Sequence, residues 1–142
     1  MLFIKNHYTL SEIVFENYAN YAEKSAFSVV KKLCETMLFS YESRIKLTKK
    51  TLNINVRIPL YINKEMLLIP TKASKDYQTV WLNYFHIIKL IKRDKSTEVV
   101  FSNLSTIKVD VSYNILSNSL INAKKILKYF QKNDENLFLK SI

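Results

Sequence analysis

Cys34 and His86 are the residue types that could form a nucleophile and its base, because an imidazole can take the proton of a neighbouring thiol. Cys34, however, falls on the apolar side of a predicted helix, where a cysteine usually packs as an inert small hydrophobe. A chain of 142 residues with two histidines and one cysteine also offers too few of the usual ligands for a zinc site. The sequence therefore predicts neither thiol catalysis nor a metal site, and a single cysteine allows no internal disulfide bond.

Carboxylates and glycines give no stronger catalytic signal. Glu98 and Asp110 are the only acidic pair that we expect to lie close together, across a predicted hairpin, whereas a metal-dependent nuclease needs clustered acids and a lysine. Glycine is absent from the chain, so that no glycine-rich loop can surround a phosphate. We therefore expect a protein that is not an enzyme and holds no cofactor, with His86 in a structural role.

The basic residues are the strongest compositional signal. A net charge of +10 favours a polyanionic partner, either nucleic acid or an anionic membrane surface, although lysines on solvated faces give the same composition. The excess is densest in residues 24–57, which carry two acids, Glu35 and Glu42, and eight cations: Lys24, Lys31, Lys32, Arg44, Lys46, Lys49, Lys50 and Arg57. No apolar run approaches the roughly 18–20 residues of a membrane span, and the N-terminus lacks a secretion signal. We expect a cytoplasmic protein.

Two amphipathic helices are predicted from apolar residues at helical spacing. The first runs from Ser25, its N-cap, to about Leu38. The second runs over residues 114–131, with Lys124, Lys125 and Lys128 on its outer face. Residues 9–23 show only a loose helical spacing.

Strands are predicted between these helices. Thr51–Ile58 alternates apolar and polar residues after a basic stretch, Arg44–Lys50. Met66–Ile69 is a short buried strand, and Gln78–Ile91 is one bent strand or two. Glu98–Asn103 and Thr106–Val111 form a hairpin, whose turn at Asn103-Leu104 we expect to be longer than two residues because leucine does not tolerate positive φ.

This order of elements predicts the α+β class, as a single domain over residues 1–142 with an antiparallel or mixed sheet of about five strands. Trp81, Tyr84 and Phe85 could form a stacking platform for single-stranded nucleic acid. Alternation along a strand favours core packing for Trp81 and Phe85 instead. Without glycine, turns with positive φ must use Asn or Asp, or accept strain.

Three short blocks occur in a fixed order. They are Tyr41-Glu42-Ser43-Arg44 with Thr48 and Arg57-Ile58-Pro59, then Ile69-Pro70-Thr71 with Trp81 and His86, and then Thr97–Asn103 with Val111-Ser112-Tyr113. In this order they resemble the bacterial competence transcription factor family, the ComK proteins, over about residues 33–131. Glycines of that family correspond here to Leu38, Ser43, Leu47 and Leu104, which puts the turns near these positions in question.

The resemblance implies an activator of DNA-uptake genes that binds paired AT-rich promoter boxes, as dimers that assemble into a tetramer, largely through the minor groove. Narrow A-tract grooves attract inserted arginines, so Arg44 and Arg57 are candidate groove residues. Lys46, Lys49 and Lys50 are candidate phosphate contacts. Further DNA-binding candidates are Lys72, Lys75 and the cluster at 89–95.

An alternative remains open, in which the chain is a non-catalytic binding module. Such a module would bind nucleic acid without sequence preference, or would only pair with a full-length activator. Relative to family members, the chain also lacks much of the N-terminal extension and of the C-terminal tail. Because that tail is tied to control by an adaptor and an ATP-dependent protease, we expect no such control here.

Overall fold

The computed structural model describes residues 1–141, apart from the side chains of residues 136–138, 140 and 141. The helices are α1 (Ala26–Thr36), α2 (Tyr41–Leu52) and α3 (Tyr113–Ser141), and a 3-10 turn spans Tyr84–His86. The strands are β1 (Phe3–His7), β2 (Leu10–Val14), β3 (Ala19–Ala22), β4 (Leu60–Asn63), β5 (Met66–Pro70), β6 (Val80–Asn83), β7 (Ile87–Lys92), β8 (Thr97–Phe101) and β9 (Thr106–Val109). No helix in this part of the chain is long and apolar enough to cross a membrane.

The strands form two antiparallel sheets. The large sheet has six strands in the order β3-β2-β1-β6-β5-β4, and the small sheet has three in the order β7-β8-β9. The predicted α+β class is therefore confirmed, although the described residues hold nine strands and not five. The stretch predicted as one bent strand or two is two strands, because the chain leaves the large sheet at Asn83 and enters the small sheet at Ile87.

The large sheet lies between two layers, because neighbouring residues of a strand point to opposite faces. On one face, Ile4, Leu68 and Trp81 pack with Val30 and Cys34 of α1. On the other face, the sheet packs against the small sheet and α3, through Phe3, Leu67, Ile69, Leu82, Val99, Phe101, Leu116, Ala123 and Ile126. Both cores thus share one sheet.

Asn83 holds the point where the chain changes sheets. Its side chain is fully buried, and its Nδ2 donates to the main-chain oxygens of Met1 at 2.8 Å and Glu65 at 2.9 Å. Its Oδ1 accepts from the main-chain nitrogens of Leu67 at 3.3 Å and Phe85 at 3.4 Å. One side chain therefore satisfies four main-chain groups, which belong to three segments of the chain.

Several predicted elements are confirmed. Ser25 caps α1, since its hydroxyl accepts from the main-chain nitrogen of Ser28 at 3.1 Å. Strand β5 is present at the predicted place, as is the hairpin of β8 and β9, whose connecting loop covers residues 102–105. The last helix is also present, and it extends ten residues beyond its predicted end to Ser141.

The segment around residues 44–58 was predicted incorrectly. The basic stretch belongs to α2, which Ser40 caps through a 3.1 Å bond from the main-chain nitrogen of Ser43. The predicted strand Thr51–Ile58 is instead the last two residues of α2 and a loop. Asn53 adopts the left-handed conformation (φ 55°) that ends the helix. The alternating residues after Leu52 therefore lie in a loop and pair with no strand, and Val56 is exposed.

The loose helical reading of residues 9–23 is also wrong, because these residues form β2 and β3. The two strands bury few side chains, since β3 lies at the edge of the sheet and β2 is next to it. A strand that buries little leaves a weak alternation in the sequence.

The absence of glycine forces strain at turns, as expected. Positive φ angles occur at Tyr8, Leu38, Asn53, Arg57 and Leu104. Only one of these is an asparagine, and the other four are residue types that rarely adopt this conformation. Leu38 (φ 64°) and Leu104 (φ 69°) are two of the four positions that correspond to glycines in the resembled family.

Candidate nucleic-acid interface

Helix α2 carries a lysine face that points to solvent. Lys46, Lys49 and Lys50 are three and four residues apart, which places them on one side of the helix, and all three are exposed. Among the described residues none of them has a carboxylate within salt-bridge distance. Three ammonium groups are thus free for an anionic partner. We refer to these three residues as the α2 lysine face.

The opposite side of α2 is anchored in the core. Thr48 is buried, and the ring of Tyr41 packs against Phe27 at 5.0 Å and Trp81 at 6.2 Å between centroids. Burial raises the pKa of the Tyr41 hydroxyl. These contacts orient the α2 lysine face outward, because residues on opposite sides of a helix cannot both face the core.

Arg44 faces inward. Its Nη1 donates to the main-chain oxygen of Tyr61 at 2.6 Å, and its guanidinium lies 3.9 Å from the ring centre of Phe39 and 5.0 Å from that of Phe130. Burial lowers the pKa of Arg44. The guanidinium must give up these contacts to enter a DNA groove.

Arg57 lies in the loop between α2 and β4 and is half-buried. Its backbone is strained, with φ at 44°, and its Nε is enclosed without a hydrogen-bond partner among the described residues. A strained, incompletely paired arginine in a loop is more typical of functional positions than of packed ones.

Lys72 and Lys75 lie in the loop between β5 and β6. The Lys72 Nζ is 3.2 Å from Asp110 Oδ2 and donates to Gln78 Oε1 at 3.0 Å. Lys75 is exposed. The two lysines thus differ in their surroundings: the charge of Lys72 is partly neutralised by Asp110, whereas Lys75 faces solvent.

Helix α3 presents a second lysine face that the sequence did not single out as a site. Lys124, Lys125, Lys128 and Lys132 are exposed, and helical spacing places them opposite the buried Leu116, Ala123 and Ile126. Helices α2 and α3 contact each other and enclose a cavity of about 270 Å³, lined by Leu47, Thr51, Tyr129 and Asn133 among others. The sequence already showed the first three of these lysines on the outer face of the predicted helix. That α3 lies next to α2 follows only from the tertiary structure.

The cluster at 89–95 is more mixed. Lys89, Lys92 and Lys95 are exposed, whereas Arg93 Nη2 lies 2.6 Å from Glu98 Oε2. The cluster sits on and beyond β7 of the small sheet, on an element separate from α2. Unlike Lys46, Lys49 and Lys50, its residues do not lie on one face of a helix.

The residues considered for catalysis or for base stacking are buried in the core or form ion pairs. Cys34 is fully buried, and burial raises its thiol pKa to about 11. Glu98 and Asp110 pair with Arg93 and Lys72, respectively. Trp81 is 0% exposed, so its ring cannot stack on a base. No group of three or more potential metal ligands occurs among the described residues.

His86 lies at the surface near the 102–105 loop. Its Nδ1 is 3.1 Å from Ser102 Oγ and 3.5 Å from Glu16 Oε1. The main-chain nitrogen of Ser102 also donates to the main-chain oxygen of His86 at 2.8 Å. These contacts join the 3-10 turn to the hairpin, which is a structural role.

Comparison with known proteins points to one family. The family model described as ComK protein matches residues 2–135. The competence transcription factor of Bacillus subtilis (strain 168) is 26% identical over 125 residues, which cover 85% of this chain and 65% of that protein. The chain thus spans about two-thirds of the length of this relative. No solved structure matches the chain.

Proposed function

The chain belongs to the ComK protein family, and from that premise we propose that it is a DNA-binding regulator that activates the transcription of competence genes. The relative from Bacillus subtilis is named a competence transcription factor, which supports regulation of this kind. A regulator of this class has no catalytic task, in keeping with the use of Cys34 and the acidic pairs in packing and ion pairs. Its place of action would be the cytoplasm, where bacterial DNA lies.

The observation that carries the proposal is the α2 lysine face. Phosphates of a DNA backbone are bound by lysines that can release condensed counterions. Lys46, Lys49 and Lys50 are exposed, share one side of a helix, and have no acidic partner among the described residues. The lysines of α3 give the neighbouring helix a positive face of its own.

Sequence preference needs a second set of contacts, because phosphate contacts position a protein without reading the bases. We propose AT-rich duplex DNA as the ligand, bound largely through the minor groove, as the family resemblance implies. Arg57 is one candidate arginine: it lies in a strained loop, its Nε is enclosed without a partner among the described residues, and its side chain would have to turn outward to enter a groove. Arg44 remains a candidate that would first have to leave Tyr61, Phe39 and Phe130.

Lys72 and Lys75 are proposed as contacts outside the helix surface. Lys75 is exposed and ready for a phosphate, whereas Lys72 would exchange Asp110 for one. We also propose that the protein acts as a homo-oligomer, dimers joining into a tetramer on paired boxes. Two-fold related subunits suit repeated half-sites in promoters.

A gel-shift comparison tests this function. The ligands are a duplex with paired AT-rich boxes, a GC-rich duplex of equal length, and the single strand of the first, each over a salt series. We expect the AT-rich duplex to bind most tightly, with affinity for both duplexes falling as salt rises.

The other outcomes distinguish the alternatives. Equal affinity for all three ligands would indicate a nucleic-acid binder without sequence preference. An absence of duplex binding, together with retention of a full-length family member in a pull-down, would indicate a protein that acts only by pairing. Either result overturns the proposed function.

A further inference from the structure

The two edges of the large sheet are treated differently by the fold. The β4 edge is covered by α2 and α3: Arg44 donates to the main-chain oxygen of Tyr61, and the Tyr61 ring stacks on Phe130 at 4.0 Å between centroids. Within the part of the chain that the structure describes, the β3 edge pairs only with β2. No hydrogen bond among the described residues reaches its outer side. An uncovered edge strand is a ready template for another strand.

The register shows which main-chain groups are free. The Phe15 nitrogen donates to the Tyr18 oxygen at 2.8 Å, and the Leu2 nitrogen donates to the Val14 oxygen at 2.7 Å, so odd-numbered residues of β2 face β3. Because Ile13 pairs with Asn20 and Ser11 with Ala22, Asn20 and Ala22 direct their main-chain groups to β2. Ala19 and Tyr21 therefore direct theirs outward, since the groups alternate along an antiparallel strand.

The sequence of this edge is complementary to itself. Residues 18–22 read Tyr-Ala-Asn-Tyr-Ala. If two copies pair antiparallel about Asn20, each Tyr18 faces an Ala22, each Tyr21 faces an Ala19, and Asn20 faces its own copy. The exposed rings of Tyr18 (59%) and Tyr21 (54%) each meet a small side chain, and every outward main-chain group of Ala19 and Tyr21 finds a partner.

We infer that the protein forms a two-fold dimer in which β3 pairs antiparallel with β3 of a second copy, joining two large sheets into one of twelve strands. A self-complementary strand satisfies the requirement that a two-fold interface use the same patch on both subunits. The inference deepens the proposed self-association by naming its surface, and it requires no DNA.

Charge favours this edge over the other surfaces. Residues 1–23 contain Lys5, Glu12, Glu16 and Glu23, a net charge of −2 in a chain of +10. Two strongly basic subunits repel each other least where that excess is missing. Helix α2 packs on the far side of the sheet at the β4 edge, so the dimer leaves the α2 lysine face of each subunit open.

Disulfide trapping tests the register directly. In a non-hydrogen-bonded antiparallel pair, Cα atoms are about 4.5 Å apart, within the range that a disulfide spans. Asn20→Cys should therefore yield a covalent dimer under mild oxidation without DNA. The native Cys34 is buried and does not compete, and Cys34→Ser can be added as a check. The matched control is Asn118→Cys, an exposed asparagine on α3.

Two variants without a cysteine test the same edge in solution. Asn20→Lys places two positive charges opposite each other at the axis, and Ala19→Pro removes an outward N–H while leaving the bonds to β2 intact. Sedimentation over a concentration series should show at least a tenfold weaker dimer for both, with unchanged circular dichroism. The two variants should still bind a duplex with a single AT-rich box as monomers. This measurement distinguishes a loss of dimerisation from a loss of DNA binding.

The inference is wrong if Asn20→Cys cross-links no faster than Asn118→Cys. It is also wrong if the wild-type protein sediments as a monomer at every concentration, or if it dimerises equally well with Asn20→Lys and with Ala19→Pro. A monomer at every concentration would also contradict the proposed homo-oligomer, but none of these results would bear on gel shifts with the AT-rich duplex, so DNA binding and its sequence preference are judged independently.

Discussion

Arg44 and Tyr61 are joined by a 2.6 Å hydrogen bond from the guanidinium of α2 to a main-chain oxygen of the edge strand β4. An arginine that the family resemblance makes a candidate for a DNA groove thus completes the covering of a sheet edge. The bond is flanked by the rings of Phe39 and Phe130. Arg44 therefore links α2, β4 and α3 in one contact.

Replacing this arginine should lower stability. Arg44→Ala removes a charge-assisted hydrogen bond and two ring contacts from a half-buried position, so we expect a loss of about 2–3 kcal/mol in the free energy of unfolding. Urea denaturation measures it, with the exposed Lys46→Ala as the control, which should change by less than about 0.5 kcal/mol. If Arg44→Ala keeps its stability but loses discrimination between A-tract and mixed sites, then Arg44 enters the groove.

The α2 lysine face should contribute to affinity without contributing to sequence preference. Each of Lys46→Ala, Lys49→Ala and Lys50→Ala should weaken every duplex about equally and lower the salt slope by about one. The control is Lys32→Ala on α1, whose ammonium already lies 3.7 Å from Glu35. Unchanged affinity and slope in a folded triple variant would move the interface to Lys75 or to α3.

Glycine should stabilise two strained turns. Leu38 and Leu104 have φ of 64° and 69° and are 94% and 75% exposed, so Leu38→Gly and Leu104→Gly remove a steric cost and little packing. We expect each to raise the free energy of unfolding by roughly 0.5–1 kcal/mol. Alanine at the same positions keeps the Cβ and should bring no gain. Equal effects of glycine and alanine would show that the turns are not strained.

Asn83 should be among the most sensitive positions. Asn83→Ala leaves main-chain groups of Met1, Glu65 and Leu67 without their partner, and unmet buried groups cost about 1–3 kcal/mol each. We expect a loss of at least 3 kcal/mol in chemical denaturation. Asn63→Ala, at a half-buried asparagine in β4, is the comparison and should cost clearly less. Similar losses at both positions would contradict the role given to Asn83.

The thiol of Cys34 should couple stability to alkaline pH. Its pKa is raised to about 11 by burial, from a usual 9.0, so that between these values the folded protein keeps a proton that the unfolded chain releases. Stability is then full below about pH 9 and falls as pH rises toward 11. Unfolding curves of wild type and Cys34→Ala over this range measure the difference. A parallel decline in both would rule out the thiol as its source.

The sequence by itself determined the elements whose own side chains carry the pattern. Helix α1 has a capping serine and apolar residues at helical spacing, and α3 has the same spacing over many turns, so local rules sufficed. The inert character of Cys34 followed in the same way, from its position on the buried face of α1. Family membership was also readable, because three short blocks keep their order without any knowledge of the fold.

The tertiary structure alone decided the elements and site residues whose roles depend on distant partners. Helix α2 has only a thin apolar stripe, in which Tyr41, Ile45 and Leu52 are partly buried and only Thr48 is fully buried. Its lysines could therefore be recognised from the sequence as cations, but not as one face of a helix. Strand β3 forms because it pairs with β2. Its outer edge is open because the helices α2 and α3 cover the opposite edge of the sheet, at β4. Arg44 faces inward because Phe39, Tyr61 and Phe130, from three other segments, meet around it. Such convergence of segments far apart in the chain leaves no periodic trace in any one of them, which is why the lysine face and the free edge emerged only from the fold.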